Sequence, residues 1–122
     1  MPYSQAMKII RTKEFDRRAE KLLDEDDLAE LQDTLLALPD AGDVIPASGG
    51  LRKLRWALPG RGKRGGARVI YFVLGGNGTI YLLTVYAKAE KEDLDPSEKK
   101  AWSRYATLIK EEYRHADEET RH

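Results

Sequence analysis

The residues best suited to chemistry are concentrated between Leu51 and Lys91. Nine cations fall there, Arg52, Lys53, Arg55, Arg61, Lys63, Arg64, Arg68, Lys88 and Lys91, against the single acid Glu90, a net charge of +8. Residues 1–50 carry −5 and residues 92–122 carry −3, so the 122-residue chain is neutral as a whole. Surface ion pairs contribute little to stability, so a fold has scant need to gather cations in this way. A contiguous basic stretch is the electrostatic footprint of a protein that docks on nucleic-acid phosphates. Other chemistries have little to work with. The chain has no cysteine, hence neither a disulfide nor a thiolate metal site. Its two histidines, His115 and His122, lie far in sequence from the basic stretch and read as solvent-exposed, so no metal site, cofactor or triad built on histidine is expected.

The elements that must position the cations follow from periodicity. The length predicts one domain, 1–122. Met7 to Ile10 is a short apolar run suited to a first strand. Thr12 is placed to cap a helix on which Phe15, Ala19, Leu22 and Leu23 recur at helical spacing. Asp24-Glu25-Asp26-Asp27 interrupts it as a solvated turn, and a second helix carries Leu28, Leu31, Leu35 and Leu38 until Pro39 stops it. Gly42 to Gly50 reads as a loop. Leu51 to Leu58, Ala67 to Leu74 and Thr79 to Tyr86 read as strands, the last two joined by the tight-turn residues Gly75-Gly76-Asn77-Gly78. The first two are joined by a flexible loop, Pro59 to Gly66, that carries Arg61, Lys63 and Arg64.

Asp95-Pro96-Ser97-Glu98 then opens a helix with a cap, a first-turn proline and a capping-box glutamate. Trp102, Tyr105, Ala106, Ile109 and Tyr113 mark its apolar face, and the charged tail beyond is expected to be disordered at its end. The resulting class is α+β, in the order β-α-α-β-β-β-α, with a small, mainly antiparallel sheet packed against a helical hairpin and a C-terminal helix. No apolar run approaches the roughly 20 residues that span a bilayer, and the N-terminus lacks a hydrophobic signal core. A cytoplasmic protein with no membrane partner is expected.

Strand alternation sorts the basic residues. Leu54, Trp56 and Leu58 share one face of their strand, Lys53 and Arg55 the other; in the last strand Thr84, Tyr86 and Lys88 fall opposite Leu83, Val85 and Ala87. If the three strands pair as consecutive hairpins, Lys53, Arg55, Arg68, Tyr86 and Lys88 converge on one face. The plainer alternative is that these cations are solvated or pair with the acidic helices, and that Tyr86 is a cross-strand packing aromatic. Trp56 and Trp102 read as core residues, with base stacking the lesser role for Trp56.

The runs Gly49-Gly50-Leu51-Arg52-Lys53-Leu54-Arg55-Trp56-Ala57 and Gly62-Lys63-Arg64-Gly65-Gly66-Ala67-Arg68-Val69-Ile70-Tyr71 together resemble the RelE superfamily of bacterial toxins, and its HigB-type branch most strongly. Tyr81 to Leu94 looks like the family's last strand and the turn after it. The resemblance covers nearly the whole chain. It implies a RelE-like fold and the toxin of a type II toxin–antitoxin pair, which enters the ribosomal A site and cuts mRNA there. It maps the family's active-site cations onto Lys53, Arg55, Arg68 and Lys88. One departure stands out: where some RelE toxins carry a functional tyrosine, this chain has Glu92-Asp93-Leu94-Asp95.

Cleavage by attack of a 2′-hydroxyl on its own phosphate needs a base, stabilisation of charge on the phosphorane, and a proton for the leaving oxygen. Arginines suit the second task, and Arg68, at the base of the loop on a rigid strand, is the choice for the scissile phosphate. A lysine crowded by cations has its pKa lowered, which would let Lys53 or Lys88 act as base. Arg52, Arg61, Lys63, Arg64, Tyr86 and Lys91 are then expected to contact RNA. Without a conventional acid–base pair, much of the rate would come from positioning by the ribosome. The partners implied are mRNA, the ribosome and a cognate antitoxin of the helix-turn-helix HigA kind, with operator DNA bound only through that antitoxin. Two rivals remain: a ParE-like gyrase inhibitor on the same fold, and a non-catalytic RNA-binding module.

Overall fold

The computed structural model describes the backbone of residues 8–58, 66–75 and 78–120, with side chains as far as residue 116. The order is β1 (Lys8–Arg11), α1 (Lys13–Leu22), α2 (Glu25–Ala37), β2 (Asp43–Val44), β3 (Arg52–Trp56), β4 (Ala67–Leu74), β5 (Thr79–Ala87) and α3 (Pro96–Thr120). This is the expected α+β arrangement with one addition. The loop before β3 contributes the two-residue strand β2, which pairs Asp43 with Lys53 and Val44 with Arg52. Two residues are too few to show a period, so nothing local marks β2 as a strand.

The five strands lie in the order β1-β5-β4-β3-β2. Neighbours are antiparallel except β1, which runs parallel to β5. Thr12 joins sheet to helix. Its Oγ accepts from the Phe15 amide at 2.9 Å and donates to the Leu83 carbonyl at 2.7 Å, while its own amide donates to the Leu82 carbonyl. The cap that starts α1 thereby fixes that helix on β5.

The acidic run is no mere interhelical turn. Asp24 is the N-cap of α2 and shares a reciprocal capping box with Asp27, and three acids occupy the first helical turn, where the helix dipole favours them. Asp95 and Glu98 form the same device at α3: the Glu98 amide donates to the Asp95 carboxylate at 2.8 Å and the Asp95 amide to the Glu98 carboxylate at 3.0 Å. The backbone of α3 is helical to Thr120; His122 lies outside the described residues.

Every residue of β4 is buried, as its uninterrupted apolar run requires. One sheet face presents Ala67, Val69, Tyr71, Val73, Ile80, Leu82 and Val85 to Phe15 and Ala19 of α1 and Leu31 and Leu35 of α2. The other presents Ile70, Phe72, Leu83 and Tyr86 to Ala106 of α3, with Leu51 beside them. Strict alternation would group Leu83 with Val85. A β-bulge prevents this: Ile70 pairs with Thr84 but Tyr71 with Leu82, which leaves Leu83 unpaired and resets the alternation. Leu83 therefore packs with Tyr86. Trp56 and Trp102 are partly buried on opposite clusters, in the packing role expected of them.

Gly66 enforces the junction of β3 and β4. Its φ is 66°, and a Cβ there would stand 2.1 Å from the Trp56 carbonyl oxygen, so no other residue fits without moving backbone. Its own carbonyl accepts from the Lys88 amide at 2.9 Å.

Candidate functional site

β3 and β4 bring three of the expected site cations onto one face. Arg55 lies directly across from Arg68, and Lys53 across from Ile70 two residues along; on the other side of Arg68 lies Tyr86. Two arginines directly opposed in a sheet repel each other unless an anion lies between them. Here the turn from β5 to α3 provides one. Arg68 Nε and Nη2 donate to the two carboxylate oxygens of Glu92, each at 2.8 Å. This is the fork that a guanidinium offers to carboxylate and phosphate alike. Lys53 Nζ donates to the same carboxylate at 3.1 Å and also to Asp93, and Arg55 Nε stands 3.9 Å from it. The Arg68 and Lys53 side chains are 5% and 16% exposed, that of Glu92 38%. Arg68 and Lys53 sit deep and their anion shallower, with Arg55 outermost.

The electrostatics follow from this geometry. Hydrogen bonds from Arg68, then from Lys53, hold the Glu92 carboxyl down at about 2. Burial alone would lower the Lys53 ammonium, but its bonds to Asp93 and Glu92 outweigh that and raise it above its ordinary value. The expectation of Lys53 as a base with a depressed pKa is thereby corrected. Cations do crowd it, but two carboxylates reverse their effect. In this arrangement Lys53 donates hydrogen bonds to both carboxylates. Arg68 is likewise raised, mainly by its bond to Glu92. Burial, more than any neighbouring charge, pushes the Tyr86 phenol up, and its hydroxyl donates to the Glu92 carbonyl at 3.4 Å.

The other described cations, Arg52, Lys88 and Lys91, do not join this carboxylate, although they belong to the same stretch of sequence. Arg52 lies across from Tyr71, on the sheet face opposite Lys53, and donates to the Gly42 carbonyl at 2.6 Å. Lys91 bonds both carboxylate oxygens of Glu98 at 2.6 Å and stands 5.0 Å from the Tyr86 ring centre. Lys88 is exposed just past the end of β5, and no hydrogen bond or ion pair among the described residues joins its side chain to the cluster. Arg61, Lys63 and Arg64 lie outside the described residues. His115 is exposed. Among the described residues no group of three or more His, Asp or Glu is placed to hold a metal ion, and no helix is long and apolar enough to cross a membrane.

The participants that strand alternation could not supply are Glu92 and Asp93. Sequence marks them as a departure from the family pattern, but only the folded turn shows that they point back onto Lys53 and Arg68. The plainer reading of the cations holds for some of them: Lys53, Arg55 and Arg68 pair with this turn and Lys91 with Glu98 of α3, while Lys88 is exposed.

The architecture is that of a known toxin fold. The solved structure of a double arginine-to-alanine mutant of the E. coli toxin RelE in the free state is similar to it, with a TM-score of 0.52 at 16% identity over 71% of this chain and 88% of that one. The sequence profile of the RelE toxin of RelE/RelB toxin–antitoxin systems matches residues 7–119. The chain belongs to the RelE toxin family: it is a toxin of a toxin–antitoxin system, and its partner is an antitoxin.

Proposed function

We propose that this toxin is a ribosome-dependent endoribonuclease that cuts translated mRNA in the A site, is neutralised by a cognate antitoxin, and acts in the cytoplasm. The observation that carries this reading is the fork of Arg68 on a carboxylate, with Lys53 on the same group and Arg55 beside it. Cations so arranged form a seat for one tetrahedral phosphate. In this reading Arg68 grips the scissile phosphate and Arg55 faces the incoming strand. The protonated Lys53 neutralises charge on the phosphorane or protonates the leaving 5′ oxygen as the 2′-hydroxyl attacks. Tyr86, held neutral, adds a donor beneath them. The base is left to the ribosomal complex or to Lys88, and positioning carries much of the rate. The basic loop would contact RNA backbone. The partner proposed is a HigA-like helix-turn-helix protein, through which the pair would bind operator DNA.

The test is in vitro translation of a defined mRNA with new 5′ ends mapped by primer extension, beside naked mRNA and an Arg68→Ala variant. Cuts that need ribosomes, fall in the A site and vanish with Arg68→Ala support the reading. Intact mRNA and normal translation sink it. One observation favours a second reading, a ParE-like gyrase inhibitor: Glu92 and Asp93 already neutralise Lys53 and Arg68, which would leave these cations a structural role. Inhibition of supercoiling with no RNA cut would select that alternative.

A further inference from the structure

We propose that Glu92 is a built-in occupant of the phosphate seat: the free toxin fills the Arg68–Lys53 site with its own carboxylate, and an RNA phosphodiester must displace it to bind. The proposal rests on the reading that these cations receive RNA. Three observations carry it. First, a guanidinium fork closed on two oxygens at 2.8 Å is the contact a phosphate would make, so carboxylate and phosphate cannot both hold the Nε–Nη2 edge of Arg68. Second, the two partners differ in their attachment. Lys53 and Arg68 project from paired strands, and Arg68 Nη1 is further tied to the Ala67 carbonyl at 3.2 Å. Glu92 projects from a turn, and its side chain is the most exposed of these three.

Third, the turn itself is pinned on either side of the carboxylate. Lys91 is bonded to Glu98, Asp95 and Glu98 cap α3, and the Glu92 carbonyl accepts from Tyr86 and from Lys53 at 3.4 Å each. Rotation about the glutamate's own side-chain bonds therefore opens the seat while the backbone stays in place. The cations keep their positions and exchange one anion for another.

The consequence is selective. A tethered anion competes at an effective concentration on the order of millimolar. A lone phosphate in solution loses to it, whereas a phosphodiester already held in register by a larger assembly wins. Self-occupation thus supplies a physical reason for a toxin of this kind to ignore free RNA.

The experiment measures the affinity of the free protein for inorganic phosphate, by the shift of the Arg68 Nε resonance. It then measures affinity for a single-stranded RNA hexamer made uncleavable by 2′-O-methylation, by fluorescence anisotropy. Glu92→Gln is expected to bind both roughly ten- to hundredfold more tightly than wild type, the range for removing a charged, hydrogen-bonded competitor. Glu92→Ala should do the same if the glutamine variant folds poorly. Adding Arg68→Ala, read by the anisotropy of the hexamer, should abolish the gain. Glu90→Gln removes the same charge outside the seat and should change affinity only a few-fold. Equal affinity of wild type and both Glu92 variants overturns the proposal, as does a gain that survives Arg68→Ala or is matched by Glu90→Gln. Failure of the wild-type toxin to cut mRNA on ribosomes would sink the nuclease reading instead, and would leave the phosphate result standing on its own.

Discussion

The two faces of this sheet are made from the same strands and do opposite things. Against α1 and α2, side chains such as Val69, Tyr71, Leu82 and Phe15 are buried almost completely, and a polar group in that layer, the Tyr71 hydroxyl, is bonded both to the Gly42 amide and to the Pro39 carbonyl. On the other face the apolar layer under α3 ends at Tyr86, and beyond it Lys53, Arg55 and Arg68 converge on one carboxylate. One residue step along β3 moves a side chain from one regime to the other, which is why Arg52 holds a loop and Lys53 an anion. The first face is given over to packing, whereas the second packs under α3 and gathers charge beyond it. A site whose cations rest on strands packed from behind can exchange its anion without reorganising the core.

The separation can be broken by substitutions on either side. Phe15→Ala empties a fully buried position on the α1 side and is expected to cost about 3–5 kcal/mol in urea denaturation. Any protein that still folds should retain its cleavage pattern. Arg68→Ala should do the reverse, with a loss of roughly 10²- to 10³-fold in ribosome-dependent cutting, the scale for removing one transition-state donor, and a circular dichroism spectrum like that of wild type. If Arg68→Ala unfolds the protein, the two faces are not separable.

Smaller effects sharpen the contrast. Tyr71→Phe strands the Gly42 amide and Pro39 carbonyl in a buried place and should cost about 1–3 kcal/mol by the same denaturation measurement, with no change in cutting. Acid should act on the second face. The Glu92 carboxyl lies at about 2 in the folded chain against an ordinary 4.5, so its contribution is present above about pH 4.5 and is lost as pH falls toward 2. The melting temperature of the wild type should therefore fall more steeply across that window than that of Glu92→Gln. Parallel slopes would mean that the carboxylate contributes nothing there.

Much of the frame was legible in the residues themselves. Thr12 and the Asp95–Glu98 pair announced two helices, because a cap acts within three residues of where it sits. The apolar run from Val69 to Leu74 announced a central strand, and the alternation of Lys53 and Arg55 with Leu54 and Trp56 put the two cations on one face; the same alternation already set Arg52 on the other. Family motifs pointed to a toxin. Tertiary structure decided the rest. The β2 pairing, the bulge that turns Leu83 toward α3, the diversion of Lys91 to Glu98, and above all the return of Glu92 and Asp93 onto Lys53 and Arg68 are contacts between separate elements. Periodicity and capping depend on neighbours a few positions away, whereas the charge state of Lys53 depends on carboxylates 39 and 40 residues distant. Only a folded turn brings them within bonding distance, and the sign of the lysine's pKa shift follows from that approach.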